Sequence, residues 1–419
     1  TLTGRNDWAS QLANSSTPCF FYPSVGLSGV ISEMLTLPEF IDYMKVRGSF
    51  SSVGMPYPRN LTSPTYEYDE ANQQWKPKTH YPIKDLKPER TNSWELGLDM
   101  RLFKDFSLGF SWYLANTFNQ TFDPKVSVSS GYSKIYLQTG YVRNSGVELS
   151  LGYGHTWNNH LHWESNFTLS HNKNTIKDLV TSYIHPETGL PITQNRLDVG
   201  GLGKARFILK KGGTLGDLYT QSDLKRDNSG MVEIDPSGAL TTEDNLPDIK
   251  LGSVFPKANL AWNNRFEWRG ISLSALFTAR IGGIAYSATQ AAMDQYGVSE
   301  RSAQARDNGG VLLNGRTLVD AQTYYSLIGN SSGLPQYYTY SATNVRLQEA
   351  SVGYTIPRKW LGGVCDINVS VVGRNLWMIY CRAPFDPEAV ANTANYYQGI
   401  DNFMLPSTRN IGVNVKINF

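Results

Sequence analysis

The chain keeps a two-residue rhythm. Over residues 94–102, Trp94, Leu96, Leu98, Met100 and Leu102 alternate with Glu95, Gly97, Asp99 and Arg101. After Lys104-Asp105 the rhythm resumes, with Phe106, Leu108, Phe110, Trp112 and Leu114 set against Ser107, Gly109, Ser111, Tyr113 and Ala115. Successive side chains of a strand point to opposite faces, so the spacing predicts a long hairpin with one apolar and one wet face. The same grammar returns around Asn158-Asn159, around Arg269-Gly270 and across RKWLGG (358–363). It also closes the chain: in NIGVNVKINF, Ile411, Val413, Val415, Ile417 and Phe419 share one side, and Gly412, Asn414, Lys416 and Asn418 the other.

About fourteen strands follow: 1–9, 20–31, 44–53, 91–103, 106–122, 135–157, 160–178, 204–210, 214–224, 255–268, 271–285, 343–356, 364–380 and 409–419. The segments between hairpins are irregular: 54–89, 123–134, 179–203, 225–254, 287–342 and 381–408. Several exceed the usual length of a connection inside a compact domain. Short turns therefore alternate with long loops, the layout of an outer-membrane barrel with short periplasmic turns and long extracellular loops. That parity requires residues 211–213 (KGG) to be a periplasmic turn as well. Helix is expected only at 37–44, where Pro38 suits a first turn, and within 287–306.

Composition sharpens this picture. Lys plus Arg number 38 against 36 Asp plus Glu, and 18% of residues are charged, so no electrostatic case exists for nucleic-acid binding. The 24 Tyr and 10 Trp favour strands over helices. Cys19, Cys365 and Cys381 have neither disulfide-framework nor metal-ligand spacing. No apolar run reaches the length of about 18 residues that marks a transmembrane helix, but a barrel strand needs only about 9–11, half of them polar. Thr1 opens no charged-then-apolar leader, and TLTGRNDW starts inside a predicted strand, so a truncated or cleaved piece of a longer protein is expected.

Alternation alone also fits a soluble all-β protein whose apolar faces pack on a second sheet. Three features favour a barrel. The strands run to 13–20 residues, against about five or six in globular sheets. Their other faces are polar enough to line water. Trp94, Trp112, Trp157, Trp163, Trp268, Trp360 and Trp377 gather near strand ends, where interfacial girdles belong.

Candidate chemistry is sparse. His155, His160, His162 and His171 cluster around one turn and read as polar rim residues rather than a metal site. Asp227, Asn228, Glu233 and Asp235 offer oxygens, yet DNSGMVEID lacks the alternate-oxygen spacing of a calcium loop. Glu243-Asp244 are adjacent in sequence, which does not establish the separation a glycosidase needs. There is no phosphate loop. A non-enzyme without cofactor or metal is expected. The long loops hold the candidate ligand contacts: Trp75 and Tyr81, then Tyr324, Tyr325, Tyr337, Tyr338 and Tyr340, then Phe385, Tyr396, Tyr397 and Phe403, set among Asn, Gln, Ser and Asp. Aromatic faces stack on sugar rings or peptide side chains, and amides fix polar groups. The competing role for each is packing the loops together or touching a partner.

Specific words then carry a resemblance. LKPERTNSWELGLDMRLFKDFSLGFSWY, ATNVRLQEASVGYTIP, VSVVGRNLW, FDPEA and LPSTRNIGVNVKINF, with GRNDW, FYPSVGLSGVISE and LPEFIDYMKVRGSFSSVG before them, span nearly the whole chain. Together they resemble the carboxyl-terminal half of the SusC/RagA-like TonB-dependent transporters of the Bacteroidota outer membrane. Gly29, where that family often has Trp, and residues 227–238 depart from the pattern. The resemblance implies a barrel of about 22 strands around an amino-terminal plug, a TonB box and a SusD-like surface lipoprotein as lid. Residues 1–419 are then the carboxyl-terminal part of that barrel, with about eight strands, the plug and the TonB box outside the chain. Ile411, Val413, Val415, Ile417 and Phe419 become its lipid-facing closing and assembly strand. The implied function is TonB-energised import of an oligosaccharide or oligopeptide. The rival expectation is a soluble secreted glycan-binding protein without transport, and beyond it an extracellular glycosidase.

Overall fold

The computed structural model describes residues 1–419 apart from 13–14, 16–17, 57–60, 62–65, 78–79, 82–86, 123–133, 158–159, 185–190, 393–396 and 419. Twelve long strands dominate it: β1 (Leu2–Trp8), β2 (Cys19–Val30), β3 (Ile41–Met55), β4 (Glu89–Leu102), β5 (Phe106–Phe122), β6 (Leu137–Thr156), β7 (Leu161–Asp178), β8 (Ala258–Trp268), β9 (Ile271–Ile281), β10 (Asn344–Ile356), β11 (Asp366–Cys381) and β12 (Asn410–Asn418). They make one antiparallel sheet in which each strand lies beside its neighbours in the chain. At about 3.3 Å per residue, the 20 residues of β6 and 18 of β7 are long enough to cross a hydrocarbon layer on a tilt and project beyond it. Among the described residues, no helix is long and apolar enough to cross a membrane. The chain divides into two compact units, one of residues 1–198, 209–214 and 260–269, the other of 199–208, 215–259 and 270–419.

In the first unit, register converts the alternation into rows. Leu96 sits opposite Trp112, which sits opposite Val147, and Leu98-Phe110-Leu149 form the next row. This apolar face is open: Trp94 and Leu96 are more than half exposed. The opposite face is knitted by polar side chains. Arg47 donates to Asp99 (2.8 Å) and Ser111 (2.6 Å), Arg143 to Asn116 (2.8 Å), Tyr113 to Asn172 (3.1 Å) and Asn174 to Asn144 (2.9 Å). Between β4 and β5 the chain reverses in three residues, with Phe103 and Lys104 at φ 52° and 61°. The expected turn at Asn158-Asn159 lies outside the described residues.

In the second unit, β9 to β12 pair in order, and Leu273, Val352, Val371 and Val413 form one cross-strand row. All four are exposed, Val413 at 70%. The neighbouring row on the other face is Ser272, Gly353, Ser370 and Asn414. The main buried core of this unit lies not in the wall but in the long connections, around Phe207, Leu218, Val254, Tyr286, Ile328 and Tyr338.

Two expected wall strands are corrected. Residues 204–210 and 214–224 do form strands, Ala205–Lys210 and Asp217–Thr220, but these join a separate four-stranded sheet with Arg196–Leu202 and Ile249–Ser253. The reason is in ARFILK itself: Ala205, Phe207, Ile208 and Leu209 are all fully buried, so this run has no apolar face open to lipid. The wall has twelve strands among the described residues, and removing a pair leaves the parity of every other turn intact. The helix expected at 37–44 is also corrected. A four-residue helical turn lies earlier, at Ile31–Met34, and Ile41 already begins β3. The 287–306 helix is two, α1 (Ala288–Gln295) and α2 (Glu300–Asp307), and a third, α3 (Ala321–Gly329), was not expected.

Candidate functional site

The connections 199–208, 215–257, 282–343, 382–392 and 397–409 of the second unit fold as a module with its own core. Leaving β9, the chain forms a short strand, Ile284–Ser287, that pairs with Thr339–Ser341 and, in parallel, with Ile400–Asp401. Ser287 then caps α1, its hydroxyl accepting from the Gln290 N–H, and Ser299 and Asp320 cap α2 and α3 in the same way. Such caps satisfy amides that a helix start leaves orphaned.

On the buried side of α1 lies a charge, Asp294. It accepts from the hydroxyls of Ser299 and Tyr338, the latter at 3.0 Å, and pairs with Arg301. The Arg301 guanidinium lies 4.7 Å from the Tyr338 ring centre and 5.8 Å from that of Tyr325. Burial, with the Asp294 carboxylate beside it, pushes the Tyr338 hydroxyl far above its ordinary range. A buried carboxylate is tolerated only when its lone pairs are engaged, as these are.

Asp223 makes a second node. It accepts from Arg226 (3.0 Å), Gln336 (2.5 Å), Tyr337 (3.2 Å) and the Leu224 N–H (2.7 Å). A third is formed by Arg346 with Asp386 and Glu388, and it holds the segment after β11. That segment is fastened again where the Phe403 N–H donates to Thr289 (2.7 Å) and Ser287 donates to Asp401.

The acidic loop has a regular architecture. Asp227 Oδ1 accepts from the Ser229 N–H, the Ser229 hydroxyl and the Met231 N–H. Eight residues on, Asp235 Oδ1 accepts from the Ser237 N–H, the Ser237 hydroxyl and the Ala239 N–H. DNSGM and DPSGA are thus one turn built twice, with Gly230 and Gly238 at φ 82° and 83°. The hydroxyls of Ser229 and Ser237 hold both carboxyls below their ordinary range. Among the described residues, no group of three or more His, Cys, Asp or Glu is placed to hold a metal. His155 instead pairs with Asp105 at 2.8 Å and His162 with Thr156 at 2.8 Å.

The aromatic residues picked out by sequence separate by environment. Tyr338 is fully buried and Tyr324 nearly so, while Tyr325 and Tyr337 are half-buried against the same core. Phe385 packs its edge on Tyr340, and Tyr397 packs on Phe207. Trp75, in the hairpin Tyr66–Asp69/Gln74–Pro77 of the first unit, is 67% exposed beside Tyr68, and Phe403 is 69% exposed. Tyr396, Phe419 and the Tyr81 side chain lie outside the described residues. On β12, Ile411, Val413, Val415 and Ile417 are exposed and pair with Gly373, Val371, Val369 and Ile367 of β11. Sequence reading missed Asp294, Arg301 and Asp223, the three that organise the module. Only FDPEA pointed at Asp386.

An antiparallel wall with an exposed apolar face and a hydrogen-bonded polar face defines a transmembrane barrel. The family "TonB dependent receptor-like, beta-barrel" matches residues 1–376, and the chain belongs to it. Its place is the bacterial outer membrane. TonB-dependent receptor P3 of Formosa agariphila is 23% identical over 99% of this chain and 44% of its own length, and receptor P39 of the same organism 20% identical over 95% and 42%. The chain therefore spans less than half of these relatives. In fold it is similar to the RagAB peptide transporter (TM-score 0.74, 18% identity, 99% of this chain and 45% of the other) and to the RagAB peptide importer in its open-open state (TM-score 0.72, 18% identity, 100% and 45%).

Proposed function

We propose that this chain is the carboxyl-terminal barrel portion of an outer-membrane importer for a nutrient oligomer, an oligosaccharide or an oligopeptide, energised through TonB. The row Leu273-Val352-Val371-Val413 carries this reading. Four exposed aliphatic side chains in register across four strands are unfavourable in water, and no second sheet covers them among the described residues. In lipid they are at home, which disfavours the soluble glycan-binding alternative.

In this reading the long connections face the cell exterior, and a SusD-like surface lipoprotein closes over them. Ligand binding between lid and loops is signalled to a plug supplied by the amino-terminal part of the protein. The exposed rings of Trp75, Tyr397 and Phe403 are assigned to ligand or lid contact, together with Phe385 and Tyr396. Tyr324, Tyr325, Tyr337 and Tyr338 lie in or against the buried core of the second unit. No catalytic role is assigned. The test is growth of a deletion strain on a panel of glycans and peptides as sole carbon source. Loss of growth on one ligand class, restored by the intact gene, supports the proposal, and unchanged growth and uptake across the panel contradicts it.

A further inference from the structure

A cavity of about 280 Å³ opens between α1, α2 and α3, lined by Gln295, Tyr296, Arg306, Gln322 and Tyr325 over a floor that includes Asp294. Its polar groups fall into two kinds. The floor is spent: Asp294 is fully engaged by Ser299, Tyr338 and Arg301. The rim is free. The side-chain amides of Gln295 and Gln322 have no hydrogen-bond partner among the described residues, and Tyr296 is largely exposed.

Arg306 supplies the one available charge. Its Nη1 donates to the Gly297 carbonyl at 2.8 Å, and it makes no ion pair among the described residues. Gly297 is left-handed at φ 68°, and a Cβ there would come within 2.9 Å of Arg306 Nη1, so glycine is what lets the guanidinium seat. The remaining N–H groups form the planar fork that matches a carboxylate. Amides at the rim suit hydroxyl groups, and a tyrosine ring suits the face of a sugar. Among the described lining residues the only carboxylate is Asp294, which is already engaged by Ser299, Tyr338 and Arg301.

We propose that this cavity binds an acidic sugar residue, its carboxylate on Arg306, its hydroxyls on Gln295 and Gln322 and its ring against Tyr296. The inference deepens the import reading, on which it rests for its biological purpose, by naming a ligand class. Its test is direct binding rather than uptake. The intact receptor, purified in detergent, is titrated calorimetrically with trigalacturonate, with its neutral methyl ester and with an acidic tripeptide. Trigalacturonate is expected to bind at least tenfold more tightly than the ester. Arg306→Gln should remove that preference, Arg306→Lys should retain part of it, and Gln322→Ala should weaken acid and ester alike. Because Gln322 is exposed on α3, its variant keeps the test valid if Arg306→Gln fails to fold. Equal affinity for acid and ester, no binding of either, or preference for the tripeptide would overturn the proposal. Binding without uptake sinks the import reading alone, and uptake without acid-selective binding sinks this one alone.

Discussion

Arg346 and Asp386 lie 40 residues apart in the chain and meet in a two-point ion pair, with Nη2 2.9 Å from Oδ1 and Nη1 3.1 Å from Oδ2. Both side chains are nearly buried, at 5% and 9% exposure. Asn344 completes the arrangement, accepting from Arg346 Nε at 3.1 Å and donating to Glu388 at 3.3 Å. The words TNVRLQE and FDPEA thus close on each other, locking the segment after β11 onto the first residues of β10. Removing one partner of a buried pair leaves the other charge unsatisfied, which typically costs about 3–5 kcal/mol. Arg346→Ala should therefore expose 382–409 to proteases while the barrel keeps its heat-resistant gel mobility. Unchanged cleavage in that segment would refute the clamp.

The same pair predicts an acid sensitivity. Burial opposes ionisation of Asp386, but hydrogen bonds from Arg346, the Glu388 N–H and Ser407 outweigh it and hold the carboxyl below its ordinary range. A lowered folded value means that the stabilisation is complete above the unfolded value of about 3.9. It is lost as pH falls through the folded one. Nicking of 382–409 by pepsin should rise as pH falls below about 4, and Asp386→Asn should show high nicking throughout.

Tyr324 predicts the opposite sign at the alkaline end. Burial first, then the Tyr325 hydroxyl, push its pKa up to about 12. Its neutral form therefore stabilises the fold fully below the ordinary value of about 10. That contribution disappears as pH rises through about 12. In an ultraviolet titration, Tyr324→Phe should remove amplitude from the late phase and none from the main phase.

The duplicated turns give a paired substitution test. Gly230 and Gly238 sit at left-handed φ with open space around them, so adding a Cβ meets no neighbour and the cost is conformational alone. Gly230→Ala and Gly238→Ala should each destabilise the loop module by about 1–2 kcal/mol, while Gly→Asn should cost less. Hydrogen exchange across 226–240 reads the difference.

On β12, face decides tolerance. Val413→Arg should cost about 2–4 kcal/mol if its row meets the bilayer midplane, reducing folded receptor in outer-membrane fractions. Asn414→Arg, one residue on and facing the polar side, should leave the yield unchanged.

The wall was legible because alternation is local: each strand declares its two faces in its own residues, and the register of Leu96, Trp112 and Val147 follows. The strand count was not, because Ala205–Lys210 is extended but buried on both faces, and extended backbone alone does not say which sheet it joins. The loops were the least legible. Tyr338 and Phe403 look alike in sequence, yet one is fully buried on Asp294 and the other largely exposed. That difference is made by pairings such as Asp294–Tyr338 and Asp223–Tyr337, which join residues 44 and 114 positions apart. α3 escaped notice because AQTYYSLIG carries aromatic residues that favour strands as readily as helices.

Whether this wall belongs to an energised importer is decided by following a fluorescently labelled oligomer, chosen from the growth panel, into cells that carry or lack the receptor. Uptake should require the receptor and collapse when a protonophore dissipates the inner-membrane gradient or when TonB is deleted, with surface binding retained. Receptor-dependent uptake that persists without the gradient and without TonB would contradict it.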